Sequence, residues 1–193
     1  LLLQVSQSVA AEDTEVMPAN KTQLSLLFGT YSLTSPEKTI SSAGAFTVGL
    51  TYRFFEKISA IASYNNLMTF SKSLSSIVSG FDIGAQYCFF TCSAMRQKIG
   101  DSALVVAWSP LGLNLGLGFA SRSILLSNVS VGFSGPLVRS EVNYMLGDHI
   151  KALGAVQYTT MSNSSKTLSH MTFQLGVGFD FGENVYNGAR KSR

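Results

Sequence analysis

Apolar and polar residues alternate along most of this chain, most clearly near its C-terminal end. In MTFQLGVGFDFG, residues 171–182, an apolar side chain occupies every second position from Met171 to Phe181. Successive side chains of a β-strand point to opposite faces of a sheet. This two-residue period therefore predicts a strand with one apolar face.

The same period predicts further strands upstream. Residues 43–54 divide cleanly, because Phe46 and Val48 share one face while Thr47 and Gly49 share the other. Strands of this kind are predicted at 22–33, 43–54, 58–66, 80–91, 149–159 and 171–181. Long connections are expected at 34–42, 65–79 and 160–169, and short turns at 55–57 and 147–148, with 92–102 as an exception to this rhythm.

Two middle segments, 103–120 and 128–146, leave the strand count open. Each contains a proline, Pro110 or Pro136, near which the phase of the alternation slips by one residue. Proline in a strand marks an edge, a bulge or a turn, and a bulge shifts the phase in this way. Two long bulged strands, joined by a hairpin tip at 121–128, would make eight strands in all. Four short strands would make ten, and we favour eight.

Composition indicates what the apolar faces contact. Charged residues make up 13% of the chain, about half of the ~25% usual in soluble domains, and no run of about 20 apolar residues could form a membrane-spanning helix. A closed barrel is the all-β structure that pairs its backbone groups inside lipid. We therefore expect a transmembrane antiparallel up-and-down β-barrel over residues 22–181. The small, dispersed net charge of +3 argues against nucleic-acid binding.

The face opposite the large apolar residues indicates the barrel interior. It carries Gly49, Gly84 and Gly176 among sparse polar groups such as Gln174, and a narrow barrel has room only for small side chains. The predicted strand from Met171 to Phe181, tilted by ~40°, spans roughly 28 Å, about the height of a lipid-facing apolar band. Small and polar residues are therefore expected inside, and large apolar residues toward lipid.

The last strand, ending in Phe179 and Phe181, resembles the C-terminal insertion signal of Gram-negative outer-membrane proteins. Residues 22–181 as a whole resemble the small eight-stranded barrels of the OmpA, OmpX and OmpW type. The resemblance implies an integral protein of the bacterial outer membrane, with long outer loops and short periplasmic turns. Its partners would be outer-membrane lipids and lipopolysaccharide. Barrels of this type commonly end at the terminal Phe, whereas this chain continues through residues 182–193.

The two ends of the chain carry further expectations. Residues 1–11 resemble the end of a secretory signal peptide, with an N-terminal strand or plug helix as the alternative, and residues 12–21 read as a polar lead-in. The basic tail, 182–193, would lie in the periplasm. It carries Arg190, Lys191 and Arg193 and is either a solvated tail or a contact for peptidoglycan or another partner.

Candidate site residues fall into three groups. Opposite charges in a narrow lumen should pair as a plug or, if hydrated, line a pore; the candidates are Arg53, Asp82, Arg139, Glu141, Lys151 and Asp180. Loop cations could bind lipopolysaccharide phosphates; the candidates are Lys38, Lys72, Arg122 and Lys166. Cys88 and Cys92 could form a disulfide if the chain turns between them.

The sequence predicts no catalytic residues, metal site or cofactor. His149 is expected at an inner turn and His170 at the barrel rim, and neighbours on a strand such as Ser169 and His170 point to opposite faces. The predicted function is a structural role or a surface interaction through the loops. A narrow channel is the alternative, and a lipid-modifying barrel enzyme ranks lower. A soluble lipocalin-like binder conflicts with the low charge and the glycine-rich polar face.

Overall fold

The computed structural model describes residues 22–36, 39–55, 57–68, 77–89, 95–99, 103–107, 111–126, 129–146 and 149–181. No helix in these segments is long and apolar enough to cross a membrane. They contain ten strands: β1 (Thr22–Thr34), β2 (Thr39–Arg53), β3 (Ile58–Met68), β4 (Ile77–Cys88), β5 (Met95–Ile99), β6 (Ala103–Ala107), β7 (Leu111–Leu126), β8 (Val129–Met145), β9 (Ile150–Ser162) and β10 (Thr167–Phe181).

Eight of these strands close into an antiparallel barrel in the order β1–β2–β3–β4–β7–β8–β9–β10, and β10 pairs back onto β1. The remaining two, β5 and β6, pair only with each other as a separate hairpin inserted between β4 and β7. The expected all-β barrel of eight strands is therefore confirmed. The alternative of a ten-stranded barrel is wrong, because the extra two strands lie outside the barrel sheet.

The middle of the chain differs from the expected pair of bulged strands. Residues 103–107 pair with β5 outside the barrel, and the barrel strand itself begins at Leu111. The predicted hairpin tip at 121–128 is mostly strand, since β7 runs to Leu126 and β8 starts at Val129. Pro136 faces Phe119 across an unbroken β7–β8 register. The predicted bulge at Pro136 was therefore wrong, and Pro110 lies outside the described residues.

The two ends of the barrel differ in their connections. At the end that we call the turn end lie the segments 54–57, 89–110 and 146–149, together with the start of β1 and the end of β10. The other end, the loop end, has the connections 35–38, 69–76, 127–128 and 163–166. The expected rhythm of long and short connections is not found. Strands extend through much of the predicted loops, and the longest connection, 89–110, is at the turn end.

A belt of exposed apolar side chains surrounds the barrel. On the outward face, Phe81, Leu117 and Leu175 are 67%, 71% and 74% exposed, which a water-facing sheet would not tolerate as a contiguous patch. Aromatic residues mark both edges of this belt, as at a membrane interface. The row near the turn end includes Tyr52, Phe54, Tyr87, Phe89, Tyr144 and Phe181; the row toward the loop end includes Phe28, Phe81, Phe119 and Phe173.

Beyond the second aromatic row the two faces exchange their character. The outward face there is rich in hydroxyl groups: Thr30, Ser32, Thr34, Ser121, Ser123, Ser130, Ser134, Thr160, Ser162 and Ser169. The interior at this level is an apolar cluster: Tyr31, Leu33, Ala45, Leu67, Val78, Ala120, Ile124, Phe133, Leu137, Met161 and Leu168. This outer segment is built like a water-soluble barrel, apolar inside and polar outside. The exchange, rather than a bulge, explains the slip in phase at Pro136.

Candidate functional site in the barrel interior

At the level of the apolar belt the interior is polar. The structure places five of the six lumen charge candidates inside the barrel with 2–7% of their surface exposed: Asp82, Arg139, Glu141, Lys151 and Asp180. The sixth, Arg53, ends β2 at the turn end and is half-buried there. Charges buried to this degree are stable only when they are paired and hydrogen-bonded.

Asp82 on β4 is the centre of the largest polar network. Its Oδ1 forms an ion pair with Arg122 Nη1 at 2.5 Å. Its Oδ2 accepts hydrogen bonds from Asn65 Nδ2 at 2.7 Å and from Gln157 Nε2 at 2.8 Å. Ser63 Oγ, at 3.3 Å, is a third donor. One carboxylate oxygen therefore accepts hydrogen bonds and the other contacts the Arg122 guanidinium, which offsets the cost of removing the charge from water.

Interior hydrogen bonds also join strands that are not neighbours in the sheet. Gln157 on β9 and Asp82 on β4 belong to strands separated by β8 and β7 in the sheet. Gln174 Nε2 on β10 donates to Thr47 Oγ1 on β2 at 2.9 Å, and these strands are separated by β1. The Gln157–Asp82 bond thus brings side chains of two distant strands into contact inside the barrel.

Two further ion pairs lie toward the turn end. Arg139 Nη2 donates to Glu141 Oε2 at 2.7 Å along β8, and Asn114 Nδ2 donates to the other carboxylate oxygen at 3.3 Å. Lys151 Nζ lies 2.7 Å from Asp180 Oδ2, which ties β9 to β10. Breaking one partner out of a buried pair costs about 3–5 kcal/mol. The Lys151–Asp180 pair therefore favours one register of β9 and β10, and the Asn114–Glu141 hydrogen bond joins β7 to β8.

Two cavities among the described interior residues are small. One cavity of ≈ 10 Å³ lies against Asp82 and Arg139, and another of ≈ 20 Å³ at the turn end is lined by Arg53, Lys151 and Asp180. Each has room for about one water molecule. The apolar cluster of the outer segment then fills the lumen above the polar network.

Arg122 is the clearest error among the predicted site residues. It was expected in a surface loop as a lipopolysaccharide contact, but it lies on β7 inside the barrel and is 1% exposed. Its Nη1 also donates to the carbonyl oxygens of Phe81 and Ser121. The sequence did contain the signal, because Arg122 is in phase with the inward positions Gly118 and Ala120.

His170 was also misplaced. Expected at the barrel rim, it is fully buried in the interior, with its ring centroid 6.4 Å from that of Tyr31. Neither ring nitrogen has a hydrogen-bond partner. Ser169 faces outward and accepts a hydrogen bond from the Tyr158 hydroxyl at 3.3 Å. Serine and histidine therefore lie on opposite faces of β10, as the strand geometry requires.

The remaining candidates are placed as follows. Lys166 is exposed in the connection between β9 and β10, where its backbone N–H donates to Asn163 Oδ1 at 2.8 Å. Cys88, at the end of β4, is buried and disulfide-bonded. Several predictions fall outside the described residues: Lys38, Lys72, Cys92, the signal-peptide remnant at 1–11, the lead-in at 12–21 and the basic tail at 182–193.

The interior offers hydrogen bonds rather than metal ligands. In the described part of the chain, no three His, Cys, Asp or Glu side chains lie close enough to hold a metal ion. Polar groups without a protein partner collect near the Asp82 network: Arg122 Nε and Nη2, Gln157 Oε1, Thr159 Oγ1 and Thr172 Oγ1. Groups of this kind bind ordered water in most barrels and proteins.

No family model matches the sequence, and no curated protein matches it. Solved structures do. Neisserial surface protein A (NspA) shares 15% identity at a TM-score of 0.63, over 88% of this chain and 100% of that one. The N-terminal β-barrel domain of Pseudomonas aeruginosa OprF shares 14% at a TM-score of 0.52, over 86% of this chain and 100% of that one. Outer membrane protein OprG of P. aeruginosa shares 11% sequence identity at a TM-score of 0.52. The match covers 88% of this chain and 99% of that one.

The structural similarities and the exposed surface of the barrel both indicate a membrane-spanning barrel. All three structures are small outer-membrane barrels that this chain matches over almost their full length. The apolar belt between two aromatic rows gives the physical reason, since only lipid can cover it. The chain therefore has the fold of the small eight-stranded barrels of the bacterial outer membrane, with the exposed apolar belt of a barrel that spans a lipid bilayer.

Proposed function

We propose that this protein is a non-conducting barrel, and that its interactions are made at the outer surface of the membrane rather than through a lumen. The observation that carries the proposal is the hydrogen bond of 2.8 Å between Gln157 and Asp82, which joins opposite walls. Eight strands leave room for side chains but not for a water-filled channel. The paired charges therefore act as a structural plug.

The outer segment supports a role at the surface. Strands that only had to cross the lipid would end at the second aromatic row, yet β7 and β8 continue to Leu126 and Val129. The outward face of this segment carries hydroxyl groups, which form hydrogen bonds with sugars and with peptide groups alike. We propose that these hydroxyl groups contact the sugar region of lipopolysaccharide. Lys166, exposed at the same end, is the described cation that could reach its phosphates.

No second function is favoured by a specific contact. A lipid-modifying enzyme would need a nucleophile next to a general base, whereas Ser169 and His170 are divided by the barrel wall. We therefore propose a binding role without catalysis. A narrow channel remains the outcome that the following experiment would reveal.

The test is single-channel conductance of the refolded protein in planar bilayers, after its folding has been verified by heat-modifiable gel mobility. We expect inserted protein to give no reproducible current steps, because the lumen is bridged at Asp82 and filled above it. Reproducible steps of one size from correctly folded protein would overturn the proposal. They would make the interior charges a pore lining instead of a plug.

A further inference from the structure

The outer end of β8 has an unpaired edge. Its ladder with β7 continues to the pair Leu126–Val129, but its ladder with β9 begins only at the pair Ser134–Ser162. Residues 129–133 therefore have a strand neighbour on one side. On the other side no strand of the described structure pairs with them.

Pro136 shows which backbone groups point to the open side. Pairing with β9 is interrupted at residues 135 and 136, whereas pairing of Pro136 with Phe119 on β7 is kept. Proline has no N–H, and the N–H and C=O of one residue in an antiparallel strand point to the same neighbour. Even-numbered residues of β8 thus face β9. Ser130 and Gly132 share this parity, so their N–H and C=O groups point to the open edge.

This edge carries none of the devices that usually protect an edge strand. Natural edges are blunted by charges, prolines or bulges, but residues 129–133 read VSVGF. Val129 is 62% exposed. A Cβ added at Gly132 would meet nothing within 4 Å, so the outward face of the strand is open at this position. Among the described residues the edge therefore has no strand partner, and Val129, Ser130 and Gly132 are exposed.

The two faces of this edge differ in chemistry. On the inward face Val131 packs against the apolar cluster, and Val129 lies beyond it in the same phase. On the outward face the Ser130 hydroxyl lies 2.6 Å from the Ser123 hydroxyl. A strand added here would place one side-chain row beside valines and the other beside serines. The best complement is an extended segment with alternating apolar and polar residues.

We propose that residues 129–133 of β8 bind an extended peptide segment of another protein as an added strand. Backbone groups of Ser130 and Gly132 would supply the hydrogen bonds, and the apolar side chains of the peptide would continue the row of Val129 and Val131. This inference rests on the proposed surface role and names its partner as an extended peptide.

The experiment uses the full chain in lipid nanodiscs that each hold a single barrel, so that a second copy cannot occupy the edge. A phage-displayed library of short random linear peptides is selected on these nanodiscs, with empty nanodiscs as the background. We expect enrichment of sequences that alternate apolar and polar residues. A synthetic copy of the most enriched peptide is then the probe for binding measurements.

Two substitutions at one position distinguish the edge from the rest of the surface. Gly132→Pro removes an N–H that faces the open side, and binding of the peptide should weaken about fivefold or more. Gly132→Ala keeps that N–H, places its Cβ in open space and should bind like the wild type. Ser130→Pro, which removes the other open-side N–H, should repeat the loss. Heat-modifiable mobility verifies that each variant is folded.

Hydrogen exchange locates the contact independently. The amides of Ser130 and Gly132 should exchange more slowly when the peptide is bound, whereas the amide of Val131, which faces β7, should not change. Absence of any enriched peptide, or equal binding to Gly132→Pro and wild type, would overturn the inference. Conductance reports separately on the proposed function: a silent barrel without peptide binding contradicts this inference alone, and current steps contradict the closed lumen alone.

Discussion

Four side chains meet the buried carboxylate of Asp82, those of Arg122, Asn65, Gln157 and Ser63. Replacing it with alanine leaves Arg122 buried and without its ion-pair partner. We expect Asp82→Ala to lower the free energy of unfolding by about 3–5 kcal/mol. The measurement is the urea midpoint of refolded protein in lipid vesicles, read by heat-modifiable mobility.

Two comparisons show whether the loss comes from the unpaired charge. Asp82→Ala combined with Arg122→Met should recover much of the stability, since both charges are then absent. Lys166→Met changes a charge in an exposed connection and should stay within about 0.5 kcal/mol of wild type. If Asp82→Ala lowers the free energy of unfolding as little as Lys166→Met does, the polar network does not stabilise the barrel.

Residue placement could be predicted where the alternation alone determines it. The inward positions of Arg139, Glu141 and Asp180 follow from counting residues along a strand. Arg122 and His170 were misplaced because strand ends were drawn too early, although both are in phase with inward neighbours. The reason for glycine at some positions could not be predicted from the composition. A Cβ at Gly176, for example, would collide with the carbonyl oxygen of Leu26 on β1. Glycine there permits close approach of two strands, and not merely a narrow lumen.

At the scale of a strand, β8 is one continuous element with two environments. Phe133 points inward into the apolar cluster, and Ser134 points outward. We expect a cysteine at Ser134→Cys to react with a membrane-impermeant maleimide added to intact cells, while a cysteine at Phe133→Cys does not. The buried position excludes the reagent, and the exposed one is above the lipid belt.

The wild type serves as the background for this labelling, because Cys88 is disulfide-bonded. Strong labelling of Phe133→Cys with no labelling of Ser134→Cys would mean that the apolar face of β8 points outward in the outer segment, as it does at the level of the membrane. That result would require a bulge at Pro136, because one extra residue is needed to reverse the faces of the strand. Labelling of Ser134→Cys only after cell lysis would instead place the loop end in the periplasm.

Strand existence was predictable, and strand ends and the exchange of faces were not. A two-residue period is identical whether the apolar row faces lipid or a core, so the pattern of Val129, Val131 and Phe133 carries no sign of its direction. The β5–β6 hairpin shows the same limit. Residues 103–107, ALVVA, are apolar enough for a barrel strand, and only their pairing with β5 separates them from β7.

At the scale of the whole molecule, the proposed closed lumen has two barriers in series. The polar network around Asp82, with the Arg139–Glu141 pair beneath it, closes the membrane-level part, and the apolar cluster closes the outer segment. Ions entering from one end meet the second barrier even if the first is removed. A single substitution is therefore a poor test of whether interior charges block conduction.

We expect Arg139→Ala to insert and remain silent in planar bilayers, because the apolar cluster above it is intact. Truncating the cluster alone, with Phe133→Ala and Met161→Ala, should also leave the barrel silent, since the Gln157–Asp82 bond still crosses the lumen. Combining these changes with Gln157→Ala and Asp82→Ala, in protein stabilised at low temperature, should give current steps. Steps from Arg139→Ala by itself would mean that the apolar cluster does not seal the outer segment, and that the interior charges alone keep the barrel closed.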